Sequence, residues 1–284
     1  MGTYTPPAAD PHQRRGPMVI LLHMYGQDRS TWDPLVPVLH RAGFAVLAID
    51  LRGHGESVEP ASLKLRQKVE ERDPRLFREM VDDVAAAYRW LARRPEADPA
   101  RFVLAGASVG CSIALEYAVR DRSVDGVVCL TPGADYLGLD SLASARKYSD
   151  RKLLLLAAAE ERSAAEEIGR LVPGAQVRIV AGRTDVSRNA KSDSKAGGKT
   201  DVAALHGTRM FGAVAGVEKL IVDFLTEAAG SPSDKTVVAS TKGEVYYEPG
   251  SSPADRLSPD NLRVFSSPAE AQTRGYRPPK QRAR

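Results

Sequence analysis

Short aliphatic runs alternate with longer segments of helical spacing along most of the 284-residue chain, and that alternation leaves few folds open. "MVILLH" (18–23), "FAVLAID" (44–50), "RFVLAG" (101–106), "VDGVVCL" (124–130), "KLLLLAAA" (152–159) and "AQVRIVAG" (175–182) each read as a buried strand. Between them, "TWDPLVPVLHRAG" reads as a helix stopped by Gly43, and residues 76–94 carry apolar side chains at amphipathic helical spacing. A helix begins near Ser108, "SAAEEIGRLV" makes another, and a last one runs from about 207 to 228. Strands that alternate with helices require right-handed crossovers, hence an α/β fold with a mostly parallel sheet of about six strands and helices on both faces. Little room remains ahead of Met18 for another strand.

Two segments break the pattern. Residues 183–202 are polar and read as a mobile surface loop. "GSPSDK" (230–235) reads as a linker, separating a domain over 17–229 from a small appendage over 236–284. Charge divides at the same place: residues 1–234 hold 31 basic and 31 acidic groups, whereas Lys235 to the end holds 9 and 5, the whole net charge of +4. A neutral body argues against nucleic acid as a partner; "TRGYRPPKQRAR", with five basic residues and no acid, leaves only a weak possibility through the tail. No run approaches the ~20 apolar residues of a membrane helix, and the polar, Pro-rich start has no signal-peptide core. The expectation is a cytoplasmic chain, with a removed leader left open and the oligomeric state unread. Cys111 and Cys129 lie in apolar runs and read as small buried side chains.

One stretch carries chemistry. Gly106-Ala107-Ser108-Val109-Gly110 follows a strand and opens a helix, the context in which a serine stands exposed on a sharp turn as a nucleophile. A serine that merely caps the helix is the plainer alternative. A nucleophilic hydroxyl needs a base, and the chain has five histidines. His12 lies in the N-terminal coil, His40 on the first helix, and His23 and His54 in loops after strands; His206, in a His-Gly pair before the last helix, follows the last strand.

"LLHMYGQDRSTW", "AIDLRGHGES", "GASVG" and "ALHGTRMF", in that order, resemble the α/β-hydrolase superfamily, particularly its dienelactone-hydrolase-like and esterase branches, over residues 17–229. The resemblance implies Ser108 as nucleophile, His206 as base, and the backbone amides of Met24 and Val109 as the oxyanion hole. Met24 stands where the superfamily has the glycine of a His-Gly loop. The superfamily places its acid after the strand at 152–159, in a Gly-x-x-Asp pattern; here that position falls on Arg162, and a guanidinium cannot orient an imidazolium. Glu161, one residue earlier, takes the role in this reading, with Glu160 and Asp135 as alternative acids. Negative charge at a helix start is the plainer account of both glutamates.

The appendage resembles the small Ada-type zinc-binding modules of bacterial enzymes around "PDNL" (259–262) and "GYRP" (275–278). Tyr247, Ser251, Pro279 and Arg282 stand at that pattern's metal positions, and none offers a thiolate or imidazole, so a metal-free module or partly disordered tail is expected. The expected function is hydrolysis of an ester or related acyl bond of a small-molecule substrate through an acyl-enzyme, with no cofactor and no metal. The alternative is a non-catalytic hydrolase-fold binding scaffold.

Overall fold

Met18, Ile20 and Leu22 pack into one hydrophobic layer while Val19 and Leu21 pack into another, so a single strand feeds both faces of one sheet. In the computed structural model the described residues are 1–8, 15–60, 64–148, 151–181, 205–230, 237–249, 251–258, 261–265 and 268–279. Strands β1 (Gly2–Thr5), β2 (Gly16–Leu22) and β3 (Ala45–Ile49) enclose helix α1 (Val36–Arg41). Helices α2 (Leu65–Glu70) and α3 (Pro74–Leu91) lead to β4 (Ala97–Ala107), α4 (Val109–Arg120) and β5 (Val124–Leu130). A small hairpin, β6 (Asp135–Tyr136) and β7 (Leu139–Asp140), precedes α5 (Ser141–Lys147), β8 (Lys152–Ala158), α6 (Arg162–Leu171), β9 (Gln176–Val180) and α7 (Val217–Ala229).

The main sheet has seven strands in the order β1-β3-β2-β4-β5-β8-β9, all parallel except β1, which runs antiparallel to β3. The seventh strand corrects the count of six. Gly2–Thr5 is too short and polar to register as a buried run, yet it pairs residue by residue from Gly2↔Ile49 to Thr5↔Val46 as a half-exposed edge. Side chains of α3, α4 and α6 fill one face and those of α1 and α7 the other.

Two helix readings also change. "TWDPLVPVLHRAG" divides into a 3₁₀ turn at Arg29–Trp32 and α1, and residues 207–228 divide into a 3₁₀ turn at Gly207–Met210 and α7. Gly212 and Gly216 cause the second break: their φ angles of 73° and 76° cannot belong to a right-handed helix. The polar loop at 183–202 and His12 lie outside the described residues.

Beyond α7 the chain builds a second, smaller sheet from β10 (Val237–Ser240), β11 (Tyr246–Tyr247) and β12 (Leu262–Phe265), in the order β11-β10-β12, with helix α8 (Pro268–Thr273). Val237, Ala239, Tyr246, Phe265, Ala271 and Tyr276 form its own buried cluster. It meets the larger unit where Val238 and Ala254 pack with Ala100, near the amino-terminal half of β4, and where Arg15 pairs with Asp255 at 2.8 Å. At the expected metal positions, Tyr247 lies on β11, the Ser251 hydroxyl donates to Glu248 O (2.6 Å), Pro279 is exposed, and Arg282 lies outside the described residues. Among the described residues no cluster of three His, Cys, Asp or Glu could hold a metal.

Candidate active site

Strand order reverses between β2 and β4: the chain leaves β2 toward β3 on one side and later enters β4 on the other. Loops at the carboxyl ends of these two strands therefore turn to opposite sides, the usual ligand position in an open parallel sheet. Ser108 follows β4 and the His23-Met24 loop follows β2, so both lie at that switch point.

Ser108 has φ 53° and ψ −117°, far from the ordinary basins of an L-residue, and leads directly into α4. Such a conformation costs about 1–3 kcal/mol and persists only where its surroundings impose it. A Cβ on Gly106 would collide with the backbone of Gly110, and one on Gly110 would collide with the backbone of Leu22. Strand and helix thus approach closer than any larger residue permits. Leu130 O accepts the Ser108 N–H (2.8 Å), and the Cys111 Sγ donates to Gly106 O (3.1 Å). Both cysteines are free and buried, and burial pushes the Cys111 thiol well up, which makes it an inert packing group. Val109, as the first residue of α4, has no carbonyl one turn back for its amide. Among the described residues neither Val109 nor Met24 donates a backbone hydrogen bond from its N–H.

The loop carrying Met24 is braced from beneath. Leu51 N–H donates to His23 Nε2 (3.0 Å), so that nitrogen is unprotonated, and Nδ1–H donates to Met24 O (2.7 Å). Burial pulls the His23 pKa down to about 4. A ring held neutral, with both nitrogens occupied, is a strut and not a base. Its neighbour His54 is also buried, lies with its ring tilted 58° and 4.9 Å away between centroids, and has its pKa lowered by burial. Asp50 anchors the Asp-Leu-Arg-Gly-His-Gly turn by accepting from Arg29 N and Glu56 N, both at 2.9 Å, and from the Arg29 guanidinium. The Met24 side chain is buried against Gly207. The Met24 side chain is accommodated there because residue 207 has no Cβ.

His206 stands at the head of the Gly207–Met210 turn, partly exposed, with Nδ1 2.7 Å from Glu161 Oε1. Glu161 ends the 3₁₀ turn Ala159–Glu161 that follows β8. Its Oε2 is buried without a hydrogen-bond partner among the described residues, so the imidazole is the carboxylate's single polar contact there. Arg162 turns outward to Glu166 (3.6 Å) with 60% of its side chain exposed. Glu160 is exposed, and Asp135 lies exposed on the β6–β7 hairpin opposite Asp140. Of the three carboxylates weighed from sequence, Glu161 is the one in contact with the ring. A Cβ on Gly207 would meet Ala107 Cβ at 3.4 Å, so the residue after His206 abuts the residue before Ser108.

Thr131 has no place in the sequence reading, yet it lies at the centre of these loops. It is 4% exposed, has φ 51°, donates its N–H to Leu156 O (2.7 Å), and accepts the Gly207 N–H on Oγ1 (3.0 Å). A β-branched residue at that φ is an outlier. The sequence signal, Thr-Pro at the end of a buried strand, is too common to find it.

The solved dienelactone hydrolase of Anabaena variabilis superposes with a TM-score of 0.55 at 19% identity, covering 78% of this chain and 89% of that one, which places the two in one fold. An uncharacterized protein of Mycobacterium tuberculosis is 30% identical over 105 residues, 37% of this chain and 32% of that protein. Epoxide hydrolase B of the same organism is 42% identical over 50 residues, 18% of this chain and 14% of its own length. The chain thus spans a third or less of these curated relatives. No helix among the described residues is long and apolar enough to cross a membrane. Residues 13–212, well over half of the chain, match the family described as serine aminopeptidase, S33, and with that match, the parallel sheet and its hydrolase neighbours, the chain belongs to this family of α/β-hydrolases.

Proposed function

We propose that the protein is a serine hydrolase that cleaves an ester or related acyl bond of a small molecule through an acyl-enzyme on Ser108. The observation that carries this reading is the strained backbone of Ser108 at the head of α4, with a histidine–carboxylate pair at the same end of the sheet. His206 accepts the serine proton on Nε2 as Oγ attacks the acyl carbon, and Glu161 on Nδ1 holds the ring and stabilises the imidazolium. The tetrahedral oxyanion rests on the amides of Met24 and Val109. His206 then returns its proton to the leaving group, and water, activated by the same ring, releases the acid product.

Likeness to an epoxide hydrolase over 50 residues does not carry that reaction here. A serine alkoxide opening an epoxide would form an ether, which has no acyl carbon for water to attack, so the enzyme would not turn over. Peptide cleavage, named in the family's description, shares the acyl-enzyme chemistry but requires a poorer leaving group. A fluorophosphonate probe tests the reading directly: the wild-type protein should be labelled stoichiometrically and Ser108→Ala not at all. A panel of acyl esters of graded length, run beside aminoacyl anilides, then separates esterase from aminopeptidase. A folded wild-type protein that resists the probe and hydrolyses nothing on the panel would instead favour a hydrolase-fold binding scaffold.

A further inference from the structure

Three segments lead to the proposed catalytic groups, and each is bonded to Leu130 or Thr131, at and just past the end of β5. Leu130 O accepts the amide of Ser108, Thr131 N–H donates to Leu156 O on the strand that leads to Glu161, and Thr131 Oγ1 accepts the amide of Gly207, next to His206. The first two bonds extend the sheet. The third does not: it is a side-chain bond to a loop 76 residues away, made from a backbone at φ 51°. That unusual φ lets Thr131 keep its N–H on β8 while its side chain turns to the Gly207 peptide.

We propose that Thr131 is a positioning residue, whose hydroxyl fixes His206 relative to Ser108 by holding the peptide that joins His206 to Gly207. This rests on the acyl-enzyme reading above. The chain changes direction at His206–Gly207, where an extended His206 (φ −67°, ψ 125°) meets the first residue of the 3₁₀ turn, Gly207, at a positive φ of 57°. Gly207 is pressed against Met24, of the proposed oxyanion loop, and Ala107, which precedes Ser108. Those contacts set how closely the segment approaches. The Thr131 bond sets its direction, because a buried N–H with a single acceptor has one favourable orientation. An imidazole displaced by about 1 Å can lower turnover ~10²-fold without altering how substrate binds.

Thr131→Val isolates the hydroxyl, because valine keeps the shape and β-branching that this backbone already tolerates. Thr131→Ser restores the acceptor without the methyl. Valine should slow fluorophosphonate labelling of Ser108, and kcat on p-nitrophenyl acetate, by ~10- to 100-fold with KM within about threefold. Serine should recover labelling to within about threefold of wild type. Amide hydrogen exchange at Gly207 reads the bond without reference to activity, and should rise at least ~10-fold in the valine variant and fall back in the serine variant. Valine labelled within threefold of wild type, serine no better than valine, or unchanged Gly207 exchange each overturns the proposal. A wild-type protein that is not labelled, or Ser108→Ala labelled equally well, overturns the acyl-enzyme reading instead, and the Gly207 exchange still decides whether Thr131 holds the loop.

Discussion

The two sheets of this chain are stabilised in different ways. The larger buries strands on both faces, so that alternate residues of β2 fall in two separate layers. The smaller gathers six buried residues into one cluster on one face and sets Val238 and Ala254 against Ala100 of its neighbour, with one ion pair across the seam among the described residues. A two-faced sheet has rigid strand ends, and rigid ends can hold Ser108 in a conformation that costs energy. A sheet of three strands, none longer than four residues, has no such reserve. The strain at Ser108 and the loops proposed to be catalytic lie on the large sheet, and the seam between the units meets it at the amino-terminal half of β4, away from Ser108.

The sharpest way to break that contrast is to remove the strained hydroxyl. Ser108→Ala should lower activity by ~10³-fold or more with little change in Tm, because only an oxygen leaves the turn. Activity within threefold of wild type would move the chemistry elsewhere. Next comes the carboxylate: Glu161→Gln should reduce turnover at least ~10²-fold, with Glu160→Gln and Asp135→Asn near wild type, read as kcat on the best ester of the panel. If Asp135→Asn is the crippling change, the orienting acid belongs to the β6–β7 hairpin. Three silent variants in an active enzyme would mean a serine–histidine dyad.

A third test concerns the His23 brace under the Met24 loop. His23 titrates near 6.5 when unfolded and is pulled down to about 4 when folded, so below 6.5 the unfolded chain binds the extra proton first. Stability contributed by the neutral ring is complete above about pH 6.5 and drains away as the pH falls toward 4, by up to about 3 kcal/mol. Urea unfolding at stepped pH measures it, and NMR titration of the His23 ring identifies its source. A ring titrating near 6.5 in the folded protein would remove the brace from the account. The smallest effect is expected from the second unit. Deleting residues 236–284 should leave kcat within about twofold and cost little stability, since the Arg15–Asp255 pair is partly exposed and such pairs are worth about 0–1 kcal/mol. The purified full chain should carry no stoichiometric zinc. Loss of folding on deletion would make the seam a structural element of the larger unit.

The large sheet is legible in the sequence because a strand buried on both faces needs an unbroken aliphatic run, and such runs stand out. β1 does not, because an edge strand can be Gly-Thr-Tyr-Thr and still pair fully. The Gly106–Gly110 stretch is legible because backbone collisions leave no other residue possible at two of its positions. The acid is not fixed by spacing: glutamate has a longer reach than aspartate, so a carboxylate one residue early meets the ring while Arg162 faces solvent. Thr131 is hidden for a different reason. A hydroxyl that acts on a backbone amide needs no particular partner side chain, and so leaves no paired pattern to find.

The collisions around Gly106 and Gly110 also determine how this motif can decay. Either glycine, once replaced, breaks the junction of strand and helix, so the loss is one of folding and the chain does not survive as a stable descendant. Ser108 can be exchanged without that penalty. A lineage that abandons hydrolysis would therefore keep both glycines and vary the residue between them, and its members would retain the outline of an enzyme long after the reaction had gone. In such lineages the glycines report ancestry, and the middle residue alone reports livelihood.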